Sequence, residues 1–209
     1  MGSTPLSSGV RQQMNPQATV VLILGSVVLA YSVPIALTWV GHGPGFLRGL
    51  GFLAGPKGNG RAWGLAMVVA AAYILLSITT VPGVSRHIAD LSWTKGVALC
   101  AALAAGVFEE GLFRRFVMDS LLRAGRGTVV QIVVSGLAFG VAHATWGLLG
   151  GHMQVAIGAA TATTLLGLAL ACVYVIGGRS LAPCIVAHFA IDAVIEPGLA
   201  LSALSGFRT

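Results

Sequence analysis

The chain has 209 residues, of which 56% are hydrophobic and only 9% charged. A soluble globular domain carries about 25% charged residues, and one of this length could not cover its surface with so few, so lipid is the natural solvent. The net charge of +6 comes from basic residues scattered between apolar runs, without a stripe or cluster. Loop charge that orients a membrane protein accounts for them, and nucleic acid is not expected as a partner.

Residues 1–16, rich in Ser, Gly, Pro and Gln, read as a flexible tail. The first apolar run, Ala18 to Val40, is too long for a signal-peptide core, and no clear cleavage site follows it. It reads as a retained anchor helix, with Pro34 as a site for a kink. Residues 41–61 form a glycine-rich loop with Pro44, Arg48, Pro56, Lys57 and Arg61, and its apolar patch Phe46 to Ala54 suits the membrane interface. A second span runs from Ala62 to Val81, and Pro82 and Gly83 end it. Arg86, His87, Asp90 and Lys95 set residues 84–95 outside the hydrocarbon.

A third helix runs from Trp93 to Leu122, about 45 Å at 1.5 Å per residue. The fourth, fifth and sixth cover Thr128 to Trp146, Met153 to Ile176 and Leu181 to Leu204. The expected fold class is all-α: a polytopic membrane helix bundle of about six transmembrane helices. The expected division is a tail (1–16), two N-terminal helices with their loops (17–92) and a core of four helices (93–205). Odd-numbered loops carry six Lys or Arg against four in the tail, the even-numbered loops and the C-terminus, a lean toward odd loops in the cytoplasm. The absence of an internal repeat speaks against an inverted-repeat transporter. The pairs Gly136/Gly140 and Gly147/Gly151 have the spacing of close helix packing, although glycine is common throughout, at 29 residues. Cys100, Cys172 and Cys184 all lie in apolar runs without a C-x-x-C, and read as small buried hydrophobes.

Only six residues are acidic, and of these Asp90 alone clearly belongs to a loop. Glu109 and Glu110 fall in the middle of the third helix, and Asp192 falls inside the sixth. An ionisable group in hydrocarbon costs roughly 2.5–3.5 kcal/mol on insertion scales, so its presence points to a function or a partner. His143 and His188 are also embedded in apolar sequence. One such histidine would read as a hydrogen-bonded core residue; two, together with carboxylates, point to a site. Glu110 and Arg114 are four apart and face each other, a pair able to neutralise itself. Glu109 lies about 100° away around the helix and lacks that partner, as a general base for water requires. His188 and Asp192 are likewise four apart, so Asp192 can orient the imidazole or stabilise its charged form. Glu196 continues that face but precedes Pro197, near the expected helix end.

Glu109-Glu110-Gly-Leu-Phe-Arg114 resembles E-E-x-x-x-R, Phe139-Gly-Val-Ala-His143 resembles F-x-x-x-H, and His188-Phe-Ala-Ile-Asp192 resembles H-x-x-x-[N/D]. In that order, on three helices, they resemble the CPBP family of intramembrane endopeptidases, which joins CAAX proteases of the Rce1-like kind with bacteriocin-processing enzymes. The resemblance covers residues 93–205. It implies hydrolysis of a peptide bond in a membrane-tethered peptide or protein, within or at the edge of the lipid bilayer. Glu109 would activate water, His143 would help hold it, and His188 with residue 192 would stabilise the oxyanion. Glu110 and Arg114 would support the site, and Phe139 would pack beside His143. In the CAAX-processing branch position 192 is Asn, a donor; an ionised Asp192 is not. Asp192 is then protonated, or orients His188, or binds a metal. Zinc could be ligated by Glu109, His143, His188 and Asp192 by residue type. The absence of an H-E-x-x-H helix favours a metal-free glutamate mechanism with no cofactor. The competing readings are a proton-coupled transporter and a non-catalytic immunity or scaffold protein of the membrane.

Overall fold

A computed structural model describes residues 16–50, 59–89, 91–149 and 153–206. The expected tail, apart from Pro16, lies outside these residues, as do Asp90, Gly151 and the end of the Phe46 to Ala54 patch. Among the described residues every element is helical, and six helices are long and apolar enough to cross a membrane. Their apolar spans are Leu22–His42, Gly60–Thr80, Trp93–Arg123, Thr128–Thr145, Met153–Ile176 and Ala182–Leu199, close to the bounds expected from hydropathy. The protein is thus an all-α polytopic bundle.

The helices are α1 (Pro16–His42), α2 (Pro44–Leu50), α3 (Gly60–Thr80), α4 (Pro82–His87), α5 (Trp93–Glu110), α6 (Asp119–Arg123), α7 (Thr128–Leu149), α8 (Met153–Ile176) and α9 (Ala182–Gly206). Local chemistry sets several of the ends. Ser92 caps α5 by accepting from the Lys95 amide. Asn59 caps α3 by accepting from the Ala62 amide, and its own amide donates to the Ile176 carbonyl at 2.8 Å, tying the start of α3 to the end of α8.

The third crossing departs from the expected continuous α-helix. Between α5 and α6, residues Gly111–Met118 wind as a π-helix. Such a turn closes i→i+5 bonds and widens the helix. Ser135 Oγ on α7 donates to the Phe113 carbonyl at 3.0 Å, satisfying one acceptor of this stretch from outside the helix. Two shorter departures follow the same logic of burial. Residues Pro44–Leu50 form α2, and Leu50 joins the core. Residues 82–87 form a short helix, whose Val84 is fully buried although residues 84–95 were expected outside the hydrocarbon. The last helix runs through Pro197 to Gly206, close to its expected end at Leu204; neighbouring helices can support the backbone of a proline turn in a bundle.

Small residues set the tightest packing. A Cβ added at Gly140 on α7 would overlap Thr164 Oγ1 and come within 2.6 Å of the Ala160 carbonyl on α8. One at Gly136 would come within 2.6 Å of Leu168. The Gly136/Gly140 spacing therefore marks a real close approach, with Gly167 facing Gly136 from the other side. Cys184 is buried, Cys172 half-buried and Cys100 exposed, and all three are free thiols. Beyond the core, residues such as Leu29, Val40, Val68 and Val141 turn their side chains outward, as expected of a surface solvated by acyl chains.

Candidate active site

Glu109 and Glu110 end α5, immediately before the π-helical turn. Glu110 is fully buried and sits between Arg114 and His188. Its Oε2 is 3.0 Å from Arg114 Nε, and its Oε1 is 2.8 Å from His188 Nδ1. The angle of the Arg114 pair falls outside hydrogen-bond geometry, so charge attraction holds it. Arg114 is also fully buried; its Nη2 donates to the Gly167 carbonyl at 3.3 Å, and its guanidinium carbon lies 4.9 Å above the Phe139 ring centre.

Glu109 points to a different set of groups. Its Oε1 accepts from the Tyr31 hydroxyl on α1 at 3.0 Å. Its Oε2 is buried and has no hydrogen-bond partner. That oxygen lies 3.6 Å from His143 Nε2 and 3.9 Å from His188 Nε2. One carboxylate oxygen thus faces two imidazoles carried by two other helices.

The histidines are oriented by the turns beside them. His143 Nδ1 donates to the Phe139 carbonyl one turn earlier on α7, at 2.9 Å. In the neutral ring this leaves the Nε2 lone pair directed toward Glu109. Phe139 is fully buried, with its ring centre 4.5 Å from that of His143 and 5.5 Å from that of His188. It holds the two rings apart at a fixed distance. His188 Nε2 lies 3.1 Å from Asp192 Oδ2, one turn on along α9. With Glu110 on Nδ1, both nitrogens of His188 face carboxylates, and a doubly protonated ring can donate to both. Glu196, a further turn along, has a buried Oε2 without a hydrogen-bond partner.

All seven residues singled out from the sequence therefore meet in one cluster: Glu109, Glu110, Arg114, Phe139, His143, His188 and Asp192. The sequence left two links unseen. One is the Glu110–His188 pair, which crosses from α5 to α9. The other is Tyr31, the one phenol of a mainly apolar anchor, whose hydroxyl was a signal because a polar group in hydrocarbon needs a partner and a phenol cannot bond back to its own helix as Ser26 and Thr38 do. As to metal, no set of three or more His, Cys, Asp and Glu among the described residues is arranged to hold an ion. His188 faces a carboxylate at each of its two ring nitrogens.

Residues 91–194 match the family model of Type II CAAX prenyl endopeptidase Rce1-like proteins. The chain belongs to the Rce1-like family. The matched stretch opens just before α5, closes on α9, and contains all seven residues of the cluster, with Tyr31 and Glu196 outside it. No curated protein and no solved structure matches the chain. Rce1-like membership and six apolar helices together mark a multi-pass membrane protein of the intramembrane protease class.

Proposed function

We propose that this Rce1-like protein is a glutamate-type endopeptidase that cuts a membrane-tethered peptide or protein, with Glu109 as general base. One observation carries the reading: Glu109 Oε2 is buried, unpartnered and faced by His143 Nε2 at 3.6 Å and His188 Nε2 at 3.9 Å. A water molecule bound there would donate one hydrogen to Glu109 Oε2 and the other to His143 Nε2, both acceptors. Its oxygen lone pair would then be free to attack the scissile carbonyl.

In the first step Glu109 takes a proton from water while the water oxygen bonds to the carbonyl carbon. The carbonyl oxygen becomes an oxyanion, and His188 Nε2–H, which faces Asp192 Oδ2 before substrate binds, is shared with it as a bifurcated donor. Glu110 supports this role by holding His188 Nδ1 at 2.8 Å, and Arg114 supports it by balancing the Glu110 charge. Asp192 acts through His188, since its oxygen lies 3.1 Å from the ring nitrogen. This role removes the need for residue 192 to be a donor. In the second step protonated Glu109 gives its proton to the leaving amine as the C–N bond breaks.

The test is cleavage by purified protein in liposomes, using fluorogenic peptides joined to a transmembrane anchor, with new termini mapped by mass spectrometry. Glu109→Gln should abolish cleavage, and His143→Ala should reduce it by about 10²-fold or more. Undiminished cleavage by both Glu109→Ala and His143→Ala would overturn the reading. Prior dialysis against a zinc chelator should leave the rate unchanged; its loss, with restoration by zinc, would replace the glutamate mechanism with a metal one. Glu109-dependent ion flux without cleavage would favour a transporter.

A further inference from the structure

The first helix lies outside the stretch matched to the family, yet one of its side chains touches the carboxylate assigned as base. The Tyr31 hydroxyl donates to Glu109 Oε1 at 3.0 Å. The Tyr31 ring stacks on Phe108, with centres 4.9 Å apart and planes 18° from parallel. Phe108 and Glu109 are consecutive on α5. One phenol thus contacts two adjacent residues of the catalytic helix, by its face and by its tip, which fixes both its place and its direction.

A carboxylate turns easily about its last bond, where the torsion is broad and two-fold. Without a donor on one side, either oxygen of Glu109 could face the imidazoles. With Oε1 held by Tyr31, Oε2 is the one that remains, buried and unpartnered before His143 and His188. We propose that Tyr31 is a positioning residue that selects Oε2 of Glu109 as the proton-accepting oxygen. The inference rests on the reading of Glu109 as general base. It adds that both proton transfers use one oxygen, since a proton taken up on Oε2 stays on the side facing the leaving amine. It also makes α1 part of the active site: the matched stretch alone lacks the group that sets the orientation of its base.

Tyr31→Phe removes the donor and keeps the ring stacked on Phe108. Tyr73→Phe is the control, because Tyr73 also donates across helices, from α3 to the Ala162 carbonyl on α8, away from the cluster. Turnover is read with the anchored fluorogenic peptides. Loss of a hydrogen bond to a charged group predicts a fall in kcat of roughly ten-fold or more for Tyr31→Phe, with KM unchanged. Tyr73→Phe should keep the wild-type kcat. A second reading uses protein labelled with carbon-13 at the glutamate carboxyl. The chain has only Glu109, Glu110 and Glu196, so three resonances are assigned by single Glu→Gln variants. Tyr31→Phe should shift the Glu109 resonance and leave that of Glu110 in place. An unmoved Glu109 resonance, a wild-type kcat in Tyr31→Phe, or an equal fall in both tyrosine variants would overturn the positioning role alone. A wild-type protein that cleaves no probe would defeat the base assignment, and the positioning role with it.

Discussion

Arg114 and Glu110 are both fully buried, and neither can find water if its partner is removed. Breaking a buried ion pair from one side costs about 3–5 kcal/mol, because it strands the other charge. Arg114→Met should therefore lower the thermal unfolding temperature in detergent by the equivalent of that loss. The double variant Arg114→Met with Glu110→Gln should recover part of it; a double no better than the single would show that the two are not coupled. Position 192 gives a second case. Asp192 faces His188 Nε2 as an acceptor, and the carbonyl oxygen of asparagine can take that place. Asp192→Asn should keep kcat/KM within about ten-fold of wild type, whereas Asp192→Leu should lose about 10²-fold through misplacement of the ring. The reverse order would make the charge itself, not the acceptor, the requirement.

Helices α7 and α8 are joined by missing side chains more than by present ones. Gly136 and Gly140 let the backbones approach so closely that a methyl group at position 140 would overlap Thr164. Overpacking of this kind costs about 1–3 kcal/mol. Gly140→Ala should lower thermal stability by that amount and reduce cleavage, because His143 lies only three residues further on α7. Gly158→Ala on α8 is the matched control, since a Cβ there meets nothing within 4 Å. Equal stability of the two variants would refute close packing at Gly140. The π-helical turn belongs to the same scale. It begins directly after Glu110 and carries Arg114, so the change of helical pitch occurs where the two buried carboxylates leave α5.

Away from the cluster, Asp119 at the start of α6 accepts from Arg179 and from Tyr174, and Arg179 also reaches Gln131 on α7. This clip joins three crossings where α8 turns into α9, and it holds Arg179 at φ 65° without a glycine's freedom. At the scale of the molecule, six crossings leave both flanks of the bundle on one face of the membrane. Reporter tags placed before α1 and after α9 should map to the same side, and a tag in the 124–127 loop to the other. The basic residues of the odd-numbered loops, six against four, lean toward that second side facing the cytoplasm. Tags before α1 and after α9 on opposite faces would refute the six-crossing count.

The number and bounds of the crossings were legible in the sequence because the hydrocarbon imposes a length that each apolar run meets by itself. The pairs Glu110–Arg114 and His188–Asp192 were legible for a similar reason, since a four-residue step on a helix fixes neighbours locally. No such period reaches from one helix to another. Which face of α5 meets α9, so that Glu110 grips His188, depends on how the bundle packs. The same is true of the Tyr31 hydroxyl on Glu109 Oε1, a contact spanning 78 residues, and of the Asp119 clip. The helices and their polar faces are properties of the chain read in order, because backbone hydrogen bonding in lipid is satisfied within each segment. The orientation of the carboxylate at 109, and hence which of its oxygens meets the histidines, is decided by side chains that only the assembled bundle brings within reach.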